Sequence, residues 1–210
     1  MSILQQLSSV VGDKTEASNR KVTEKCLQDR NLIQEIGAGI MSDKPALVGD
    51  CAEVLTKVAE QEPSWVSPFY PQLVPLLNSK KTRVRWEAMH AIALMAELLP
   101  EEISTLLPKL RQCIQSDKST IVRDYAIETI SAYAKTSHTA ALASFPILKE
   151  TLYVWEGKHR GRALKGMSHV VSQAPECAVE ARMIAEDFLH DNRGVVQKAA
   201  KALVKVIDQG

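Results

Sequence analysis

The sequence predicts an all-α fold, a solenoid of stacked two-helix hairpins, on three observations. Of 210 residues, 45% are hydrophobic and 24% charged, enough to bury a substantial core, and nine Gly with nine Pro are few for an all-β chain. A segment recurs about every 37 residues. Within that segment one position is always Ala.

The recurring segments are LVGDCAEVLTKVAE from Leu47, RVRWEAMHAIALMAE from Arg83, IVRDYAIETISAYAK from Ile121, KHRGRALKGMSHVVS from Lys158 and VVQKAAKALVKVID from Val195. Their anchors are Val48, Val84, Val122, His159 and Val196, and one helical turn further on stand Ala52, Ala88, Ala126, Ala163 and Ala200. Apolar residues follow at helical spacing, so each segment reads as an amphipathic helix, here called B. A methyl side chain at one fixed place on every B helix marks a close contact that a larger group would overpack.

Each B helix follows a shorter A segment: RNLIQEIGAGIM, SPFYPQLVPLLN, EEISTLLPKLRQCIQ, TAALASFPILKETLYV and PECAVEARMIAEDFL. Pro68, Pro71, Pro175, Glu101 and Glu102 lie near their starts. There a missing N–H costs nothing, and negative charge meets the positive end of the helix dipole. The predicted organisation is a single domain, 1–210, with repeats at approximately 29–62, 63–99, 100–136, 137–174 and 175–210. Residues 1–28 read as a degenerate capping hairpin, because SILQQLSSVV and EASNRKVTEKCLQ are both helix-like and an end repeat must turn a polar face to water.

The B-helix starts carry the pattern D-x-x-x-x-V-R-x-x-A. DKSTIVRDYA supplies all of it through Asp117, Val122, Arg123 and Ala126; Val84, Arg85 and Ala88 supply most of it, with Ser79 in the place of the acid. Asp43 and Asp191 keep the acid while Gly49 and Gln197 replace the Arg. The fourth repeat departs furthest, with His159 and Arg160 at the Val-Arg positions. On these residues the chain resembles the HEAT-repeat family of armadillo-like α-solenoids, over roughly residues 29–207. The resemblance implies a right-handed α-α superhelix of five to six hairpins, with A helices outside and B helices lining a concave side. It also implies that Arg85, Arg123 and Asp117 form a ladder between adjacent repeats.

A formal net charge of +1 conceals an uneven distribution. Cations dominate the A-to-B turns, whereas Glu97, Glu101, Glu102, Glu176 and Glu180 crowd the edge between repeats. Lys80, Lys81, Arg83, Lys158 and Arg160 have no part in the motif and form a candidate basic ridge beside the B-helix N-termini, which favour anions. The competing reading is a merely solvated edge.

Positions two, six and nine after each anchor avoid the apolar stripe and are expected to face solvent. In chain order they are Asp50, Val54, Lys57; Trp86, His90, Ala93; Asp124, Glu128, Ser131; Gly161, Lys165, Ser168; and Lys198, Ala202, Lys205. From them come the candidate partner-binding residues of the concave side: Trp86, His90, Asp124, Glu128 and Lys165. Trp86 is the candidate anchor, since large amphipathic rings concentrate interface energy. Packing of Trp86 against the adjacent turn is the competing reading, and Trp65 and Trp155, at loops or helix ends, read as packing residues.

The parts of a catalyst are missing from the sequence. Its histidines show no H-x-x-x-H or H-E-x-x-H spacing, and there is no Gly-rich phosphate loop or G-x-S-x-G. No catalytic residue, cofactor or metal is expected. Cys26, Cys51, Cys113 and Cys177, without a C-x-x-C pair, read as buried thiols. The N-terminus has no basic n-region, and Pro63, Pro68, Pro71 and Pro75 interrupt the longest uncharged run, so a soluble cytoplasmic protein without a membrane span is expected.

The expected function is a noncatalytic protein-protein interaction scaffold that binds an acidic or extended partner. The alternative is nucleic-acid binding, in catalytic form a DNA glycosylase resembling the AlkD group. For that group Trp86, Asp124 and Arg160 or Arg162 are a loose analogue, but the Asp it places one turn after the Trp is His90 here.

Overall fold

The computed structural model describes residues 2–209, and among them every regular element is helical. Packing divides the chain into two compact units, one ending at Leu98 and the other beginning at Leu99.

In the N-terminal unit a 3-10 turn, Ile3–Gln6, leads into α1 (Ser8–Val11), α2 (Ala17–Gln28), α3 (Leu32–Gly39), α4 (Pro45–Ala59), α5 (Pro63–Val66), α6 (Tyr70–Leu76) and α7 (Thr82–Met95). The B helices of the first two repeats are α4 and α7. α4 packs against α7 and also against α2, so the hairpin read in residues 1–28 supplies a B-type helix of its own. Prolines cut the second A segment into α5, a 3-10 turn at Ser67–Phe69, and α6, because each removes a backbone donor that a continuous helix needs. A Cβ at Gly37 would overlap the Phe69 ring, so this glycine sets how closely α3 meets the broken segment.

The C-terminal unit contains α8 (Pro100–Ser116), α9 (Thr120–Tyr133), α10 (His138–Thr151), α11 (Arg160–Gln173), α12 (Ala178–Asp187) and α13 (Gly194–Gln209). The A helices are α8, α10 and α12; the B helices are α9, α11 and α13, with α11 packed against both of the others. Ser119 and Ser137 cap α9 and α10 by accepting the N–H groups of Val122 and Ala140. Pro108 and Pro146 lie within α8 and α10 but on their exposed sides, where water can take the carbonyl that the missing N–H leaves.

Burial follows the register read from the sequence. Val48, Val84, Val122, His159 and Val196 are all buried, and Ala52, Ala88, Ala126, Ala163 and Ala200 are each 0% exposed. The apolar side chains after them, among them Ile92, Ile127, Met167 and Leu203, complete the core. Each such side chain contributes about 1.5–3 kcal/mol when fully buried. The four cysteines are buried thiols, as expected; burial pushes Cys26 up to about 11 and Cys51 up to about 12. Among the described residues no helix is long and apolar enough to cross a membrane.

Candidate functional site: the B-helix faces

In the N-terminal unit the face expected to meet solvent is partly closed. Asp50 and Val54 of α4 are buried rather than exposed, because α1 and α2 pack over that face. Asp50 and Glu53 are 1% and 4% exposed, and the chain answers both charges. Asn19 Nδ2 donates to Asp50 Oδ1 at 3.0 Å and to Glu53 Oε2 at 2.9 Å, and the Ser9 N–H donates to Asp50 Oδ2 at 2.7 Å. Arg83 Nη2 lies 2.8 Å from Asp50 Oδ1 and also pairs with Glu53. Burial alone would raise the Asp50 carboxyl, but the hydrogen bonds from Ser9, Asn19 and Arg83 outweigh it and hold the group below the usual carboxylate range.

Arg83 therefore neutralises buried carboxylates, a structural duty outside the repeat motif. Lys80 and Lys81, its neighbours on the ridge, are exposed, and their ammonium groups have no partner among the described residues. Trp86 is part-buried, and its indole N–H donates to Glu87 Oε1 at 2.7 Å. His90 is part-buried as well, and its desolvation lowers its pKa. Between α2 and the end of α4 lies an open groove of about 610 Å³, lined by Glu16, Arg20, Glu24, Leu27, Lys57 and Glu60.

In the C-terminal unit the corresponding face remains at the surface. Asp124 and Glu128 of α9 both pair with Arg162 of α11, with Arg162 Nε 3.0 Å from Asp124 Oδ1. His159, at the anchor position where the other repeats have Val, lies beneath this pair and is 2% exposed. Arg123 Nε donates to His159 Nε2 at 2.9 Å, and His159 Nδ1 is 2.9 Å from Asp124 Oδ1. Since Arg Nε can only donate, Nε2 accepts, and the ring proton sits on Nδ1 facing the carboxylate. Burial raises the Asp124 carboxyl less than His159 and Arg162 lower it, so it too titrates below the ordinary range.

The motif arginines each close their own turn. Arg85 Nη1 donates to the Ser79 carbonyl at 2.9 Å, and Arg123 Nη1 donates to that of Asp117. The reach from Arg123 to the next repeat goes to His159. Above Arg123, 3.9 Å from its guanidinium carbon, lies the Trp155 ring, whose N–H donates to the Ile114 carbonyl at 2.7 Å. Trp155 and Glu156 have φ of 51° and 55°, a conformation that side chains disfavour and that these contacts hold in place. Trp155 is thus a packing residue, as expected.

Of the other ridge cations, Lys158 is exposed and lies 3.2 Å from Thr120 Oγ1. Arg160, like Arg83, has a structural duty that the sequence did not reveal. It pairs with Asp191 at 2.9 Å, donates to the Leu152 carbonyl at 3.0 Å and lies 4.9 Å from the Phe188 ring. Arg193, with Arg160, holds the Asp191 carboxyl well below the usual range. Lys165 of α11 is exposed, as are Lys198 and Lys205 of α13.

Solved structures share this arrangement of paired helices. A designed armadillo repeat protein in complex with the peptide (KR)4 matches with a TM-score of 0.77 and 17% identity, over 98% of this chain and 98% of that one. Computationally designed armadillo repeat proteins for modular peptide recognition match with a TM-score of 0.74 and 15% identity, over 97% and 98%. The fold is the armadillo/HEAT-like α-solenoid. An engineered protein shares it, with a TM-score of 0.73 and 18% identity over 99% of this chain and 95% of that one. No family model and no curated protein matches the sequence.

Within the armadillo-like frame, His159 is the residue that sequence reasoning passed over as a candidate, and Arg162 entered it only as part of a loose glycosylase analogue. One signal pointed to His159: it stands alone among valines at a buried anchor, one repeat after the adjacent pair Arg123 and Asp124.

Proposed function

We propose that the protein is a noncatalytic scaffold that binds an extended polypeptide along its B-helix faces. The observation that supports this reading most is the run of side-by-side B helices in each unit, which holds part-exposed polar and aromatic groups on a rigid apolar base. These are Trp86 and His90 in one unit and Asp124, Glu128 and Lys165 in the other. Main-chain and side-chain contacts spread over several helices suit a chain without structure of its own, and a rigid surface spares the ordering cost on one side. Lys80, Lys81 and Lys158 at the A-to-B turns would add attraction for negative charge at the margin. Likeness to designed repeats that bind peptides agrees with the reading.

Selection of random displayed peptides on the immobilised protein tests it. Enriched peptides should lose binding to the combined variant Trp86→Ala, Lys165→Glu and keep it for Arg111→Ala on an A helix. Failure to enrich any peptide, or enrichment indifferent to the B-face changes, would contradict the proposal.

A further inference from the structure

We infer that the B-helix face of the C-terminal unit selects an acidic segment through Lys165 of α11 and Lys198 and Lys205 of α13. This rests on the scaffold reading and adds the chemistry of the partner.

The two layers of this unit treat charge differently. Across the A layer, cations meet carboxylates of the next A helix: Arg111 of α8 with Glu150 of α10 at 2.6 Å, and Lys149 of α10 with Glu180 of α12 at 2.7 Å. In the B layer, Arg162 takes up Asp124 and Glu128. Beyond that, α11 contains no carboxylate, and α13 has only Asp208, which pairs with Arg182 of α12. Nothing remains for the lysines. Lys165, Lys198 and Lys205 are exposed and form no hydrogen bond or ion pair among the described residues.

Lys198, Lys201 and Lys205 also stand at helical i, i+3 and i+7, with successive steps of three and four residues at which like charges are unfavourable. Such a helix gains from an anion laid across it. Lys198 and Lys205 are about 10 Å apart along α13, and packed helices lie about 8–10 Å apart. An extended segment covers that distance in about three residues, so a short acidic stretch spans the cations of both helices. Polypeptide fits better than nucleic acid: the outward B-helix positions of this unit carry no aromatic ring for base stacking, and the exposed rings of Tyr153 and Trp155 lie before α11, off those positions.

The test is fluorescence anisotropy of the whole chain with labelled octapeptides in which Ser alternates with Asp, Gln or Lys, at low and physiological salt. The Asp peptide should bind at least about tenfold more tightly than the Gln peptide, with an advantage that shrinks as salt rises. Lys165→Glu with Lys198→Glu should remove that advantage, while Lys109→Glu with Lys149→Glu, an equal charge change on the A helices, should keep it. Circular dichroism checks that both variants fold. Equal binding of all three peptides would overturn the charge inference and leave the scaffold reading standing. Binding of none would overturn both, and tighter binding of a DNA duplex or single-stranded RNA than of the Asp peptide would overturn the choice of polypeptide.

Discussion

Asp50 and Asp124 occupy the same place in their repeats, two residues after the anchors Val48 and Val122, yet they do different work. Asp50 is 1% exposed, closed in by the N-terminal hairpin and neutralised by Arg83. The Asp124 side chain is 24% exposed and shares Arg162 with Glu128 at the surface. The difference lies in what packs over each helix. A B-helix charge becomes part of the core where another helix covers it, and stays at the surface where none does.

Charge deletion should separate the two most strongly. Arg83→Ala leaves two buried carboxylates without their cation and should cost about 3–5 kcal/mol in urea unfolding. Arg162→Ala leaves solvated carboxylates and should cost at most about 1 kcal/mol. Similar costs would break the comparison. Next in size is His159→Val, which restores the residue of the other repeats but strips an acceptor from Arg123 and a donor from Asp124; a loss of about 1–3 kcal/mol is expected in spite of the better apolar match. A neutral or stabilising result would show that the Arg123–His159–Asp124 chain contributes little.

Acid should act through the same groups. Asp50, Asp124 and Asp191 have folded-state pKa values below their unfolded ones, so their contribution is complete above the unfolded value near pH 4 and is lost as pH falls through the depressed folded values. These aspartates should hold their contribution level down to about pH 5 and lose it steeply below about pH 4, with a shallower acid limb in Arg83→Ala because Asp50 is then less depressed, while desolvated His90 adds a gentle loss as pH falls below about 6.5. The smallest effect belongs to Lys80→Ser with Lys81→Ser, which should change stability by no more than about 0.5 kcal/mol in thermal melts.

The repeat was legible because its determinants are local. A methyl at Ala52, Ala88, Ala126, Ala163 and Ala200 records a close helix contact within each B helix, and the apolar spacing around it gives the register. What escaped the sequence depends on contacts distant along the chain. Nothing near Asp50 says that Asn19 and Ser9 will cover it, and nothing near Arg83 or Arg160 says that their partners lie a repeat away. Charge counted along the turns treated those arginines as spare, whereas the spare cations with a common face are Lys165, Lys198 and Lys205. These were visible as outward positions, but that no carboxylate answers them required the packing of α11 against α9 and α13.

The claim that an extended segment lies along the B helices is tested most directly by mapping amide chemical-shift changes while the Asp peptide is titrated. The account predicts changes concentrated in α11 and α13 around Lys165, Lys198 and Lys205, with α8, α10 and α12 silent. Changes centred on those A helices at saturation would contradict it.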